Sequence, residues 1–375
     1  MKIGMIGHKR IPSREGGVEI VVEELATRMV KDGHKVVVYN RKGNHVSGKS
    51  IDVKNHNLKE YKGIKIVNVP TSQKKSLNAL IYSVFATIRV LFGHYDVVHY
   101  HAEGPCAMLP ILHFFGIKTV ATIHGLDWQR AKWGGFATKY LLFGEKMAAK
   151  YADEVIVLSE NVKKYFKDTY GRDVLFIPNG VCKPTVREVN LIQEKHGLQK
   201  DEYFLFLARI VPEKGVHYLI EAFKQIDTDK KLVIAGGSSH SDGYMDEVKK
   251  LAATDERIIL TGFIQGTLLE ELYSNAYAYV LPSDIEGMPL SLLEAMSYGN
   301  CCIVSNIPEN VEVVEEHAIS FEKSNVDDLR EKIRYLIENP NRQKELKSTA
   351  AEFILKKYNW NKIVEKTLNV YRRIK

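Results

Sequence analysis

The sequence has few of the residues that mark disulfide-rich, metal-binding or membrane-spanning proteins. Four cysteines occur in 375 residues, their spacing matches no zinc motif, and the adjacent pair Cys301 and Cys302 is poorly placed for a disulfide. The longest apolar stretch, Leu77–Gly93, is short for a membrane span and contains Arg89. We therefore expect reduced thiols in a cytoplasmic protein, with Leu77–Gly93 as a core helix or a helix on a membrane surface.

Nucleotide-binding motifs that depend on glycine spacing are also missing. The loop Gly7–Gly17 contains neither G-x-G-x-x-G nor G-x-x-x-x-G-K-S/T, which disfavours a nicotinamide dehydrogenase. The segment Asp227–Asp229 matches a D-x-D pattern that can hold a divalent metal. Because it lies between a predicted helix and strand, it is predicted to be a solvated turn at the wrong edge of the sheet. The N-terminus is typical of a short strand and not of a signal peptide.

Charge is unevenly distributed along the chain. Residues 1–182 contain 27 Lys/Arg against 16 Asp/Glu, a net charge of +11, whereas residues 183–375 contain 26 against 30, a net charge of −4. The basic half indicates either an anionic partner such as phosphate or acidic lipid, or simply a solvated basic surface. Nucleic acid is not expected, since no basic cluster interleaved with aromatic residues is present.

Apolar runs alternate with amphipathic segments from end to end, a pattern typical of an α/β fold with parallel sheets. The turn Pro178-Asn179-Gly180 and the charged stretch after it interrupt the pattern, which then restarts. We predict two Rossmann-like lobes facing a cleft, one at 1–182 and one at 183–357, with a final helix at 358–375 that packs back on the first. Ligands of such sheets bind at the carboxyl ends of the strands.

The most informative segment is SDIEGMPLSLLEAM at residues 283–296. It is predicted to run from a strand through a loop into a helix, with Glu286 in the loop and Glu294 about one turn inside the helix. Helical side chains lean toward the helix N-terminus, so both carboxylates can line one crevice. The N–H groups of Gly287, Met288 and Leu290 suit a phosphate or sugar oxygen.

Three further segments follow predicted strands. In the second half, Arg209 and Lys214 project from a strand end, where two cations would neutralise a diphosphate. In the first half, Gly16 and Gly17 open a helix and permit close approach of an anion or a sugar. His124 ends a buried strand, and the preceding strand ends at His99, His101 and Glu103, whose spacing matches no zinc pattern.

The order of these segments resembles retaining glycosyltransferase family four, of the GT-B fold. The resemblance is carried by Gly16-Gly17, His124-Gly125, Arg209 with Lys214-Gly215, and the glutamates eight positions apart, Glu286 and Glu294. The opening segment KRIPSREGGVE at 9–19 is also similar to a bacterial subgroup that builds surface polysaccharides and includes rhamnosyltransferases. Many members of that subgroup have Phe where this chain has Val18.

The resemblance implies a role for each site residue. Arg209 and Lys214 would hold the donor diphosphate, Glu294 the ribose, and Glu286 with the backbone of Gly287–Leu290 the transferred sugar. His124 would contact the sugar hydroxyls and act in catalysis with Glu286, Arg209 and Lys214. The resemblance also implies that Gly16, Gly17, Gly236, Met288 and Phe263 bind the donor. It implies an acceptor side formed by Arg14, His101, Glu103 and Asp127.

The resulting hypothesis is a retaining hexosyl- or deoxyhexosyltransferase that needs no cofactor or divalent metal. It would move a sugar from a nucleotide-diphosphate sugar to a glycan, with a polyprenyl-diphosphate-linked saccharide as the expected acceptor, in cell-surface polysaccharide synthesis. The enzyme would be cytoplasmic and peripheral on the inner face of the cell membrane. A GT-B sugar-nucleotide epimerase and a non-catalytic partner subunit of the same fold are the alternatives.

Overall fold

A computed structural model of the chain describes residues 1–43, 46, 57–129, 135–237 and 242–375. The chain divides into two compact units, Met1–Asn179 with Trp360–Lys375, and Gly180–Asn359. The predicted boundaries at 182 and 357 therefore shift by a few residues. The reason is local: the N–H of Val181 donates to the carbonyl of Tyr358 at 2.7 Å, and Val181 pairs with Asn359 in a parallel bridge. The two connecting segments thus pair with each other inside the second unit.

The first unit contains an eight-stranded sheet. Its spatial order is β3-β4-β2-β1-β5-β6-β7-β8, and all pairs are parallel except β3 with β4. The chain moves outward from β1 in one direction, then returns to β5 on the other side of β1, so the topological switch point lies between β1 and β5. The strands are β1 Lys2–Ile6, β2 Lys35–Arg41, β3 Glu60–Tyr61, β4 Ile64–Val69, β5 Val97–His101, β6 Thr119–Ile123, β7 Glu154–Val157 and β8 Leu175–Phe176.

In the described part of this unit, seven α-helices accompany the sheet. A single core joins the strands to the inner faces of α2, α4, α5 and α6, through residues such as Tyr82, Leu109, Ala148 and Phe166, while α1 contacts α15. The helices are α1 Gly17–Lys31, α2 Lys75–Leu91, α3 Glu103–Cys106, α4 Leu109–Phe114, α5 Phe136–Tyr151, α6 Glu160–Tyr170 and α15 Trp360–Ile374. No helix among the described residues is long and apolar enough to cross a membrane.

The last helix, α15, belongs to the first unit although it ends the chain. Its apolar face, which includes Ile363, Leu368 and Tyr371, is almost fully buried. Ion pairs from Arg373 to Glu154 (2.6 Å) and from Lys375 to Asp96 (2.9 Å) lie at its end. Burial of the apolar stripe provides most of the attachment, since exposed ion pairs add little.

The second unit contains a six-stranded, all-parallel sheet of order β11-β10-β9-β12-β13-β14. Here the switch point lies between β9 and β12. The strands are β9 Tyr203–Leu207, β10 Lys231–Ala235, β11 Ile258–Gly262, β12 Ala278–Leu281, β13 Cys302–Ser305 and β14 Ile319–Phe321. The helices are α7 Leu191–His196, α8 Val216–Lys224, α9 Asp242–Ala252, α10 Thr267–Asn275, α11 Leu290–Ser297, α12 Pro308–Val314, α13 Val326–Glu338 and α14 Pro340–Lys357.

Candidate functional site

The predicted donor residues of the second unit follow strands that flank its switch point. Arg209 and Lys214 come after β9, whereas Glu286 and Glu294 come after the neighbouring strand β12. Ligands of open α/β sheets bind outside the carboxyl ends of the strands at such a point. The topology therefore brings cations from one loop and carboxylates from the next to the same edge.

Lys214 and Glu286 meet directly at this edge. The Lys214 ammonium forms an ion pair with Oε1 of Glu286, and only 14% and 6% of the two side chains are exposed. The backbone reinforces the contact, because the N–H of Asp284 donates to the carbonyl of Glu213 at 2.9 Å. A buried pair of this kind fixes the two loops relative to each other.

Gly215 is required by the way these loops pack. Its backbone is left-handed (φ 66°), and a Cβ at this position would lie 2.0 Å from the carbonyl oxygen of Pro282. Gly236, which follows β10, is similarly restricted: at φ 156°, a Cβ would lie 1.8 Å from the carbonyl oxygen of Ala208. Only glycine permits both approaches. Both glycines thus allow the loop that carries Arg209 and Lys214 to lie close against its neighbours.

Glu294 sits inside the first two turns of α11 and is half-buried. The hydroxyl of Tyr273, on α10, lies 3.2 Å from its Oε2 and 3.3 Å from the carbonyl oxygen of Ser291. Burial, together with the negative charge of Glu294, raises the pKa of Tyr273 well above its usual value, so the tyrosine remains a neutral donor. Tyr279 supports the same turn by donating to Oγ of Ser291 at 2.8 Å.

The start of α11 provides backbone donors beside these carboxylates. Pro289 is its N-cap and makes no side-chain capping bond, and the first N–H groups of a helix have no intrahelical acceptor. Gly287 and Met288 are buried in the loop just before it, and Leu290 is the first helical residue. An anionic or hydroxyl-bearing ligand is suited to this end of the helix.

Two further predicted donor residues lie along the same edge. Gly236 follows β10, and Phe263 follows β11. The N–H of Gly236 donates to the carbonyl of Gly262 at 2.9 Å, which joins the two strand ends. The Asp227–Asp229 segment lies between α8 and the start of β10, at the opposite edge, and both aspartates are exposed.

In the first unit, the loop after β1 is organised by a buried glutamate. Gly16 caps α1 and Gly17 is its first residue. Glu19, in the first turn, accepts a hydrogen bond from the N–H of Lys9 at 2.8 Å. Burial opposes the ionised form of Glu19, but the Lys9 charge and N–H outweigh it, and the pKa is lowered. Arg14 is about half exposed, 3.9 Å from Glu23.

Three histidines stack at the carboxyl ends of β5 and β6. The rings of His99 and His101 lie 4.1 Å apart, and Nδ1 of His101 hydrogen-bonds Nε2 of His124 at 3.0 Å. His99 bonds the hydroxyls of Tyr371 and Thr122, each at 2.6 Å. Burial lowers the pKa of His99 to about 3 and that of His101 well below its usual value. His99 and His101 are therefore neutral at pH 7, and His124 is held by a neutral partner.

A buried carboxyl group lies beside this stack. Glu103 is fully buried, and its Oε1 accepts from the N–H of Asp127 at 3.2 Å. Burial and the charges of Asp127 and Glu145 raise its pKa well above the usual value. Glu145, also buried, accepts hydrogen bonds from Trp128, Tyr165 and Tyr170 at 3.2, 2.7 and 2.6 Å. No sequence pattern predicted these hydrogen bonds of Glu145, because they depend on α5 packing against α6.

The predicted site residues thus form one group in each unit. His101, Glu103, His124 and Asp127 lie together in the first unit, and Lys214, Glu286 and Glu294 lie along one edge in the second. No group of three or more His, Cys, Asp or Glu in the described part of the chain is arranged to hold a metal ion. The side-chain hydrogen bonds of Tyr273, Ser291 and Glu19 were not predicted, since nothing local in the sequence distinguishes these residues from ordinary core residues.

Each half of the chain matches a family of glycosyltransferases. The family model "Glycosyltransferase Family 4" matches residues 15–182, and the model "Glycosyl transferases group 1" matches residues 188–353. An uncharacterized glycosyltransferase of Methanocaldococcus jannaschii is 27% identical over 99% of this chain and 98% of its own. The UDP-Gal:alpha-D-GlcNAc-diphosphoundecaprenol alpha-1,3-galactosyltransferase of Escherichia coli is 31% identical over 58% of this chain and 59% of its own.

Solved structures show the same fold over nearly the whole chain. Sucrose-phosphate synthase from Thermosynechococcus elongatus superposes with a TM-score of 0.84 at 21% identity, covering 99% of this chain and 98% of the other. HepE of Anabaena, solved with UDP and glucose, superposes with a TM-score of 0.81 at 17% identity, covering 99% of both chains. Two parallel-sheet units of this kind form the GT-B fold, and the predicted fold is confirmed. The chain belongs to the glycosyltransferase family-four superfamily.

Proposed function

We propose that this glycosyltransferase moves a hexose or deoxyhexose, with retention of anomeric configuration, from a nucleotide-diphosphate sugar to a lipid-carrier-linked glycan. The observation that supports the donor half is the buried pair of Lys214 and Glu286 beside Glu294 at the switch point of the second sheet. Cations, carboxylates and a helix N-terminus at one strand edge match the three parts of a sugar nucleotide: diphosphate, hydroxyls and ribose.

Each donor residue has a distinct proposed role. Arg209 and Lys214 neutralise the diphosphate, and Glu294 accepts two hydrogen bonds from the ribose diol. Glu286 and the backbone of Gly287, Met288 and Leu290 orient the sugar. Gly236 and Phe263 lie at strand ends where the base would stack. Tyr273 donates to Oε2 of Glu294 and so helps to orient the carboxylate for the ribose.

The chemistry proposed follows from charge. Breaking the sugar–phosphate bond develops negative charge on the leaving diphosphate, and Arg209, Lys214 and the start of α11 would stabilise it without a divalent metal. Because Glu286 is paired with Lys214, it is better suited to orient the sugar than to attack it. Retention would then come from attack by the acceptor on the face that the phosphate leaves, with the phosphate accepting the proton.

Residues of the first unit supply the proposed acceptor side. His124 contacts the donor sugar, Gly16 and Gly17 add to donor binding, and Arg14, His101, Glu103 and Asp127 form the acceptor side. The Escherichia coli relative is named for an acceptor on diphosphoundecaprenol, which favours a lipid-linked acceptor here and a place in surface-polysaccharide synthesis. Peripheral attachment to the inner face of the membrane and the rhamnosyltransferase-like subgroup are part of the same proposal.

Donor binding can be tested with two single variants. Glu294→Ala and Arg209→Ala are expected to lower kcat/KM for nucleotide-sugar turnover by about 10²–10³-fold, since each removes a charged donor contact. The donor is first chosen by thermal shift with UDP-, GDP-, dTDP- and ADP-sugars. EDTA is expected to leave the rate unchanged.

The matched control is Asp229→Ala, an exposed carboxylate of the D-x-D segment at the opposite sheet edge, which should retain full activity. Wild-type rates in both site variants would refute the donor site, as would a loss with Asp229→Ala only. Consumption of donor without acceptor to give an isomeric sugar nucleotide, seen by NMR, would replace the transferase with an epimerase. Failure to bind any nucleotide diphosphate by calorimetry would favour a partner subunit.

A further inference from the structure

The first unit exposes large apolar side chains on two neighbouring helices. Phe92, just after α2, is 78% exposed, and Phe114 and Phe115, at the end of α4, are 83% and 60% exposed. Scattered single apolar residues are normal on protein surfaces, whereas three phenylalanines near two helix ends are not. We refer to these three residues, together with the exposed Phe85, Ile88 and Ile111, as the aromatic surface.

These side chains belong to one layer of the fold. α2 contacts α4, α4 contacts α5, and the opposite sides of all three helices enter one core on the same face of the sheet. Phe92 and Phe115 each come just before a strand, β5 and β6 respectively, and these strands are neighbours. Both helices therefore end at the same edge of the sheet, so that Phe92, Phe114 and Phe115 lie at that edge.

The apolar positions of α2 follow helical spacing on its outer side. Phe85, Ile88 and Phe92 are separated by three and four residues and are exposed, whereas Tyr82, Ala86 and Val90 are buried. The helix is thus apolar on both faces. Water solvates one of them in the isolated chain, which is unfavourable by roughly 25 cal/mol for each Å² of apolar surface.

The exposed charges on the helices that form and flank the aromatic surface are positive. Helices α2, α4 and α5 contain one acidic residue, Glu145, and it is fully buried. Lys139, Lys146 and Lys150 are all exposed on α5 at helical spacing, and Arg89 is exposed on α2. The partly exposed carboxylates at the neighbouring sheet edge, Asp96 and Asp153, are paired with Lys375 and Lys118. An apolar surface bordered by exposed lysines matches the interface of an anionic bilayer, where phenyl rings enter below the headgroups and lysines meet the phosphates.

We propose that the aromatic surface of the first unit docks on an anionic lipid bilayer. The same charge argues against a second copy of this chain as the occupant, since a symmetric contact would place like charges opposite each other. The inference deepens the proposed lipid-linked acceptor by giving the enzyme a membrane-facing surface. It does not depend on the donor site, whose residues lie in loops after other strands.

Vesicle flotation tests the docking surface. The full chain is mixed with phosphatidylcholine vesicles with and without about one-third phosphatidylglycerol, at about 0.1 M salt. We expect binding to the anionic vesicles and weak binding to the neutral ones. The variant Phe92→Ser/Phe114→Ser/Phe115→Ser should bind at least tenfold more weakly. Lys146→Gln/Lys150→Gln should lose about fivefold per lysine, because each contributes about 1 kcal/mol near an anionic surface.

Matched controls come from the second unit. Val186→Ser/Tyr335→Ser removes exposed apolar side chains there, and Lys249→Gln/Lys250→Gln removes exposed lysines. Both should float like the wild type. The proposal is overturned if the wild type does not bind anionic vesicles or if the phenylalanine variant binds equally well. It is also overturned if light scattering shows a wild-type dimer that the variant converts to a monomer without vesicle binding.

Turnover of donor with a water-soluble glycan acceptor separates the two proposals. The phenylalanine variant should retain this activity, because its substitutions are on exposed positions outside the donor and acceptor residues. A wild type that binds vesicles but transfers no sugar would leave the docking surface standing and refute the proposed function. A wild type that transfers sugar but does not bind vesicles would refute the docking surface and leave the proposed sugar transfer standing.

Discussion

Lys214 and Glu286 illustrate how a single contact can serve both the fold and the site. The two residues are 72 positions apart, each follows a different strand, and both side chains are largely removed from water. A charge left in such a place without its partner costs several kcal/mol, although the pair itself adds little net stability. The contact is therefore best understood as a device that fixes the position of both loops.

We predict that Lys214→Met and Glu286→Gln each lower the free energy of unfolding by about 2 kcal/mol, whereas the double variant loses less than the sum. Each single substitution removes the ion-pair partner of a largely buried charge, and the double substitution removes both charges. Urea unfolding of the four proteins gives the coupling energy, expected at about 1–3 kcal/mol. Lys249→Met, which breaks an exposed pair with Asp246 in the same unit, should change stability by about 0.5 kcal/mol or less.

Strictly additive losses would contradict the proposed coupling. They would mean that each loop is held by its own packing, and that the ion pair forms only because the loops already meet.

At the scale of elements, the strand pattern was predictable because buried parallel strands are continuous apolar runs. Thr119–Ile123, Tyr203–Leu207 and Lys231–Ala235 are runs of this kind, and each forms a strand. Helices are less regular: the segment 103–114 is divided into α3 and α4, and Pro110, in the first turn of α4, cannot donate to a preceding turn. The three-residue strand β14 is too short to have a readable period.

The site was less predictable than the fold, for a physical reason. Glycine and charge patterns predicted loops at strand ends, and the structure has loops at these positions. The groups that hold the side chains lie on other elements. Tyr273 reaches Glu294 from α10, and Tyr371 reaches His99 across 272 residues of chain. Such contacts follow from tertiary packing and leave no local signal.

The helix α15 offers a test of one such contact. Tyr371→Phe removes the hydroxyl that bonds Nδ1 of the buried His99, and should lower the stability of the first unit by about 1–3 kcal/mol because a buried polar atom loses its partner. Lys366→Ala changes an exposed residue of the same helix and should have little effect. Urea unfolding monitored by tryptophan fluorescence measures both.

An unchanged unfolding midpoint for Tyr371→Phe would show that water or another group replaces the hydroxyl. In that case the helix would be attached by its apolar face alone.

For the whole molecule, acid should destabilise the first unit. Burial lowers the pKa of His8 to about 4 and of His99 to about 3, and lowers that of His101 as well; all three belong to the first unit. These imidazoles stay neutral in the folded state, whereas in the unfolded chain they bind protons near pH 6.5. Acidification below pH 6.5 therefore favours unfolding, with each histidine contributing up to about 1.4 kcal/mol per pH unit.

Glu103 acts in the opposite direction, because its raised pKa makes the folded state bind a proton more readily than the unfolded chain. Three histidines outweigh one carboxyl group, so we predict that the first unit loses stability between pH 6.5 and about 4. All three tryptophans of the sequence, at 128, 133 and 360, lie within the ranges of the first unit, so fluorescence reports on that unit. Equal urea midpoints at pH 7 and pH 5 would contradict the prediction.

The return of α15 to the first unit also determines the order in which the nascent chain can fold. Residues 180–359 leave the ribosome as an uninterrupted stretch, whereas the first unit lacks Trp360–Ile374 until the second unit has been translated. The second unit can complete its sheet during synthesis. The N-terminal strands lack α15 during this time, and the surface that α15 covers remains exposed to water. An interval of this kind exposes apolar surface to aggregation and to chaperones, and stalling translation just before residue 360 would prolong it.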